Sequence, residues 1–185
     1  QTFVTQSGKN PKTIKTISEF ATVPPVTKKN YLRAFPWNSL CKKGALVHDS
    51  LVMTSTSGST GAPFYFPRTS SIDLQSAVSH QLFLNSSKVH NKKSTLVINC
   101  FGMGVWIGGL LTYQAFKHIT EHGYSFTIIT PGISKNEIFQ TFKNLAPHFD
   151  QIILCGYPPF VKDVIDEGAE AGIAWKDFDL KIIFA

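Results

Sequence analysis

The stretch Thr54-Ser55-Thr56-Ser57-Gly58-Ser59-Thr60-Gly61 places six hydroxyl side chains and two glycines in eight consecutive residues. Hydroxyls donate to phosphate oxygens, and glycine lets successive backbone N–H groups turn toward one anion. A predicted strand, residues 51–55, precedes the stretch. A second, residues 63–68 with Phe64, Tyr65 and Phe66, follows it. That position predicts a phosphate flap between two strands rather than a loop that opens a helix. The stretch is not the GxxxxGK[ST] loop, because Ala62 stands where that pattern requires lysine. On composition alone, a plain Ser/Thr-rich turn remains the alternative.

Two further constellations carry weaker chemistry. Gly102, Gly104 and Gly108 follow a predicted strand and open a predicted helix, as a dinucleotide fingerprint does. The next strand ends in Thr130-Pro131 with no acidic residue to hold a ribose, so close helix–sheet packing is the first reading of these glycines. His118-Ile119-Thr120-Glu121-His122 fits the H-x-x-E-H pattern of some zinc peptidases. No third ligand stands at a telling spacing, so no metal is expected there. His48, His80, His90 and His148 are scattered in polar contexts and read as surface residues.

Composition limits what kind of domain can position such a loop. Hydrophobic residues make up 43% and charged residues 16%, a balance that folds rather than staying disordered. The net charge of +6 is confined to residues 1–49, which hold eight basic and two acidic side chains. The other 136 residues hold ten of each sign. Arg33 and Arg68 are the only arginines, which argues against a nucleic-acid reader and for a solvated N-terminal segment. No apolar run is long enough to span a membrane, and the first dozen residues lack the apolar core of a secretory signal. Cys41, Cys100 and Cys155 form no CxxC pair and read as free thiols, which points to a reducing, cytoplasmic setting.

Residues 1–50 are broken by Pro11, Pro24, Pro25 and Pro36 and read as an irregular segment with short helices near 14–20 and 27–34. Residues 51–185 alternate strand and helix. Ser70 and Asp73 have the spacing of a capping box opening a helix to about residue 86, with Leu74, Ala77, Val78 and Leu82 as its buried stripe. Strands are predicted at 95–101, 124–130, 151–155 and 180–184. Helices are predicted at 105–122, from the capping box Ser134–Glu137 to about Leu145, and at 160–171. The pattern predicts an α/β fold: a mostly parallel sheet with helices on both faces, preceded by the irregular segment.

Ser57-Gly58-Ser59-Thr60-Gly61-Ala62-Pro63 resembles the phosphate loop of the adenylate-forming superfamily of acyl-CoA synthetases, luciferases and peptide-synthetase adenylation domains. The fuller stretch TSTSGSTGAPFYFPR is similar to the phenylacetate–CoA ligase branch. Val23-Pro24-Pro25-Val26-Thr27-Lys28, Tyr31-Leu32-Arg33, Phe101-Gly102-Met103-Gly104 with Gly108-Gly109, and Tyr157-Pro158-Pro159 add to the match over roughly residues 17–185. The resemblance implies ATP-dependent adenylation of an aryl or other apolar carboxylic acid, then thioester formation with CoA. Thr56, Ser57, Gly58, Ser59, Thr60 and Gly61 would bind the ATP phosphates, and Phe101, Gly102 and Trp106 would line the acyl pocket.

In one departure from the family pattern, Phe64 stands where a basic residue is common, with Arg68 as a substitute charge. The family's magnesium-binding glutamate, ribose-binding aspartate and adenylation lysine have no counterpart in these residues. No catalytic residue is therefore assigned, the Mg2+ ligand is expected elsewhere, and the chain is expected to be an incomplete N-terminal subdomain, inactive alone. The alternatives are a synthetase that passes the acyl group to a protein thiol, or a non-catalytic binding relative.

An apolar strand at Leu180–Phe184, with Ile182, Ile183 and Phe184 facing solvent beside an open strand edge, predicts self-association into a homodimer or larger species. Sedimentation velocity tests this: a dimer or larger species is expected at moderate concentration, and a single folded monomer at high concentration contradicts it.

Overall fold

The computed structural model describes residues 2–41, 51–56, 61–87, 89 and 92–184, which fall into two units, Gln1–Asp49 and Ser50–Ala185. In the first unit the prolines cut the chain into single turns. Helix α1 (Thr2–Gln6) and a 3₁₀ turn at Pro11–Thr13 precede α2 (Ile17–Phe20); a π-helical turn at Lys28–Leu32 and a 3₁₀ turn at Trp37–Leu40 follow. The two helices expected near 14–20 and 27–34 are thus shorter, because each is closed by its own cap. Thr16 and Glu19 form a capping box, and so do Thr27 and Asn30. The Glu19 carboxylate accepts from the Lys15 and Thr16 N–H groups at 2.9 Å, which holds its pKa below the ordinary value. Residues 3–41 contain no fully buried side chain; Phe3, Tyr31 and Phe35 stack edge-to-face as their main apolar contact.

The second unit begins with an antiparallel hairpin, β1 (Leu51–Ser55) and β2 (Tyr65–Thr69), in register from Leu51↔Thr69 to Ser55↔Tyr65. Helix α3 (Ser70–Ser86) follows directly. Then come β3 (Thr95–Asn99), α4 (Ile107–Thr120), β4 (Phe126–Ile129), α5 (Lys135–Asn144), β5 (Gln151–Gly156), α6 (Pro158–Glu170) and β6 (Leu180–Phe184). The last four strands form one parallel sheet in the order β4-β3-β5-β6. Every residue of β3 and β5 is buried, as expected for inner parallel strands covered on both faces.

Alternation along the strands sorts the core into two layers. Val97, Ile153, Cys155 and Ile183 pack with Ala77 and Leu84 of α3 and Ala115, Phe116 and Ile119 of α4. Leu96, Ile98, Ile152 and Leu154 pack with Ile138 and Phe142 of α5 and Val161 and Val164 of α6. The expected α/β architecture is therefore present, with differences in detail.

Helix α4 starts at Ile107 because Trp106 is extended as its N-cap. The expected capping box on α3 is absent. Thr69 is the N-cap, but its hydroxyl lies 2.7 Å from Ser71 Oγ and caps no backbone N–H, while Asp73 is turned to Arg68. Leu74, Val78 and Leu82 point outward, leaving Ala77 and Leu84 as the buried positions of α3. His80 is half-buried, its ring edge-on to Phe116 and its Nδ1 2.8 Å from Ser76 O. On β6, Ile183 is buried in the α3/α4 layer and Ile182 is half-buried, so only Phe184 of that trio is exposed. The expectation that all three face solvent fails because Ile183 turns into the α3/α4 layer and Ile182 packs against the α5/α6 layer. Among the described residues no helix is long and apolar enough to cross a membrane.

Polar locks set the register where β3 and β5 begin. Gln151 Nε2 donates to Thr95 Oγ1 at 2.7 Å in the buried layer. The Asp150 carboxylate accepts from Ser94 Oγ at 2.7 Å and from Ser94 N–H at 2.9 Å. Those two bonds, the hydroxyl first, hold Asp150 below its ordinary pKa. Asp179 is lowered chiefly by its hydrogen bond from Lys181. A carboxylate with a depressed folded pKa stabilises the fold above its unfolded value, about 3.9, and that contribution is lost as pH falls through the folded value. Denaturant midpoints should be flat above about pH 5 and fall below about pH 4, with a shallower fall in Asp150→Ala. Equal acid slopes in the two proteins contradict the assignment.

Candidate functional site

The strand order decides where a ligand can enter. From β3 the chain turns to α4 on one face of the sheet, and from β5, the adjacent strand, it turns to α6 on the other. Two neighbouring strands whose exits diverge leave a crevice beyond their C-terminal ends. A cavity of about 400 Å³ lies there. Cys100, Phe101, Gly102 and Trp106 line it from the β3 exit, and Gly108 and Gly109 from the first turn of α4. Ile133, after β4, and Tyr157 and Phe160, after β5, complete the wall.

Sequence reasoning nominated Phe101, Gly102 and Trp106, and all three border this cavity. It did not nominate Ile133, Phe160 or Cys100. Their shared signal is position just past the C-terminal end of a parallel strand, which becomes informative only once the strand order is known.

Glycine is required where the loop crosses the helix. A Cβ on Gly109 would sit 2.5 Å from Gly102 O, so the loop backbone rests directly on α4. A Cβ on Gly102 would sit 2.8 Å from Cε3 of Trp106, whose indole closes over that residue. Trp106, Tyr157 and Ile133 are more than half exposed, so the cavity opens to solvent through an apolar rim.

Among the described residues no charged side chain lines the cavity. Burial pushes the Cys100 thiol up to about 12 and that of Cys155 well above its ordinary value, so both are neutral thiols rather than nucleophiles near pH 7. The cavity can therefore hold an apolar group and exclude water from it, but it supplies no acid or base of its own.

The hairpin adjoins this loop. Ser55 N–H, at the end of β1, donates to Val105 O at 2.9 Å, one residue before Trp106. Thr56 N–H donates to Phe64 O, and Phe64 N–H donates back to Thr56 Oγ1, both at 3.0 Å. Thr56 thus closes the hairpin through both its backbone and its hydroxyl oxygen. Gly61 has φ +125°, a conformation side chains rarely adopt. Ser57, Gly58, Ser59 and Thr60, the rest of the nominated phosphate loop, lie outside the described residues. Arg68, considered as the loop's substitute charge, is buried and ion-paired to Asp73 at 2.5 Å.

His118 and His122 share the last turn of α4 and the residues beyond it. His122 Nδ1 lies 2.7 Å from His118 O, and His118 Nδ1 lies 3.6 Å from a Glu121 carboxylate oxygen. Among the described residues no three His, Cys, Asp or Glu side chains cluster as metal ligands.

No protein-family model matches the sequence, and no curated protein matches it. Solved structures do match the fold. One is 2-hydroxyisobutyryl-CoA ligase in an open conformation with 2-HIB-AMP and CoA, at TM-score 0.70 and 17% identity over 99% of this chain and 42% of that one. The same ligase in its thioesterification state, also with 2-HIB-AMP and CoA, gives TM-score 0.68 and 15% identity over 100% of this chain and 38% of that one. The chain spans about two fifths of the length of the solved ligases it matches. The chain, with its four-stranded parallel sheet flanked by helices, has the fold of the corresponding part of 2-hydroxyisobutyryl-CoA ligase.

Proposed function

We propose that this chain is the ATP- and acid-binding N-terminal part of an AMP-forming carboxylate–CoA ligase, of the phenylacetate–CoA ligase type. The observation that carries the reading is one of placement. A neutral apolar cavity lies at the β3/β5 crevice, and the loop that walls it is hydrogen-bonded to the hairpin bearing the hydroxyl- and glycine-rich turn. An acid would bury its apolar tail between Phe101, Trp106 and Tyr157 and leave its carboxylate toward the rim, because the described lining carries no cation.

The hydroxyls of Thr56, Ser57, Ser59 and Thr60 would donate to the β- and γ-phosphates, and Gly58 and Gly61 would admit the phosphates close to the backbone. A carboxylate oxygen attacks the α-phosphorus of ATP and the bond to pyrophosphate breaks. The thiol of CoA then attacks the acyl carbon and releases AMP. Donors fixed around the departing phosphates stabilise the charge that builds there. Mg2+, held by residues outside this chain, would neutralise part of the same charge. The nominated sites imply a small-molecule acid, ATP and CoA as partners; the free cysteines favour a cytoplasmic setting, and β6 at the end of the described sheet, with Phe184 exposed, favours a homodimer.

ATP–pyrophosphate exchange with a panel of apolar acids, in a full-length ligase carrying this segment, tests the reading. Ser59→Ala with Thr60→Ala should slow exchange on the order of a hundredfold, the scale for losing preorganised donors. Wild-type rates in the double variant would sink the phosphate assignment. A folded wild type that exchanges with no acid would sink the ligase reading.

A further inference from the structure

Asn99, the last residue of β3, is fully buried, yet its neighbours in the strand are apolar or, at Thr95, held by a cross-strand lock. Burying a carboxamide costs free energy unless its donors and acceptor are used. Asn99 uses both ends on the cavity wall. Its Nδ2 donates to Gly109 O at 2.8 Å, in the first turn of α4. Its Oδ1 accepts from Phe101 N–H at 3.3 Å, in the loop leaving β3. Its own carbonyl accepts from Gly132 N–H at 3.2 Å, in the loop that carries Ile133.

One residue is therefore bonded to all three segments that wall the cavity on the β3 side. Those segments are also pressed together: Gly102 O lies 2.5 Å from where a Cβ of Gly109 would be, and Met103 Sδ lies 4.0 Å from Asn99 Nδ2. The other tethers of this loop, Ser55 N–H to Val105 O and Cys100 N–H to Cys155 O, hold its two ends but not its middle.

We propose that Asn99 is the positioning residue of the cavity, a carboxamide clasp that fixes the Phe101–Trp106 wall against α4 before an acid arrives. The inference rests on the reading of the cavity as the acid site only for what the clasp is used for. The clasp itself stands on the two carboxamide bonds. A wall fixed in advance lowers the ordering cost of binding, so loss of the clasp should weaken acid binding without unfolding the sheet.

The test uses the full chain labelled with fluorotryptophan and read by fluorine NMR. Trp106 reports the wall. Trp175, packed on Gly168 and Phe142 on the opposite face of the sheet, reports the fold. Trp106→Phe assigns the first resonance. Asn99→Leu keeps the branching of the side chain and removes both of its bonds. In the ligand-free variant the Trp106 resonance should shift or broaden while that of Trp175 stays in place, and the dissociation constant for phenylacetate should rise about tenfold. If Trp175 also moves to its unfolded position, Asn99→Ser, which is smaller and keeps one hydroxyl, is read in the same way. An unchanged Trp106 resonance in a folded variant overturns the clasp. Failure of wild-type chain to bind phenylacetate or hexanoate refutes the acid site alone, because the ligand-free resonances still decide the role of Asn99.

Discussion

The adjacency of β3 and β5 is the constraint on which the rest of the second unit depends. Their parallel ladder runs from Thr95↔Gln151 to Asn99↔Cys155, and every residue in it is buried. Burial of an aliphatic side chain contributes roughly 1.5–3 kcal/mol, so Leu96, Val97, Ile98, Ile152, Ile153 and Leu154 make this pair the centre of both packing layers. The two strands must also diverge at their C-terminal ends, because the helix after one packs on the face opposite to the helix after the other. The crevice results from covering both faces of one sheet.

The polar groups follow the same division. Charged and amide side chains gather at the N-terminal ends of the strands: Ser94 with Asp150, Lys93 and Lys181 with Asp179, and Gln151 with Thr95. At the C-terminal ends the described wall is apolar and its thiols are neutral. Register is thereby set away from the cavity, and the cavity is left free of competing charge. Asn99 is the exception at that end, and its amide is spent on the wall rather than offered to a ligand.

Helix α3 shows how far periodicity can be read. Leu74, Ala77, Val78 and Leu82 do lie along one side of a helix, and the helix runs over the expected residues. The side that packs is nonetheless the one carrying Ala77 and Leu84, because α4 approaches there and the small Ala77 admits it, with Phe116 beside it in the same layer. Periodicity identifies an apolar stripe. It does not identify which neighbour arrives, so Leu74, Val78 and Leu82 remain exposed. The capping box on the same helix failed for a related reason. Asp73 had the spacing to cap, but buried Arg68 on β2 is the stronger partner for a carboxylate.

Local chemistry in the sequence determined the kinds of element and several of their ends. Leu51–Ser55 and Leu180–Phe184 are strands as read, the helices fall where apolar spacing put them, and Gly123 stands at φ +102° just past the end of α4. Sequence also nominated Phe101, Gly102 and Trp106, through a resemblance to a known acyl pocket rather than from their spacing, which by itself read first as close helix–sheet packing. What only the tertiary structure decided was company. Ile133, Tyr157 and Phe160 join that cluster because the strands run β4-β3-β5-β6, and Asn99 is a clasp because Gly109 and Phe101 converge on it. Strand order and side-chain partners depend on contacts between segments far apart in the chain, and no local spacing encodes them.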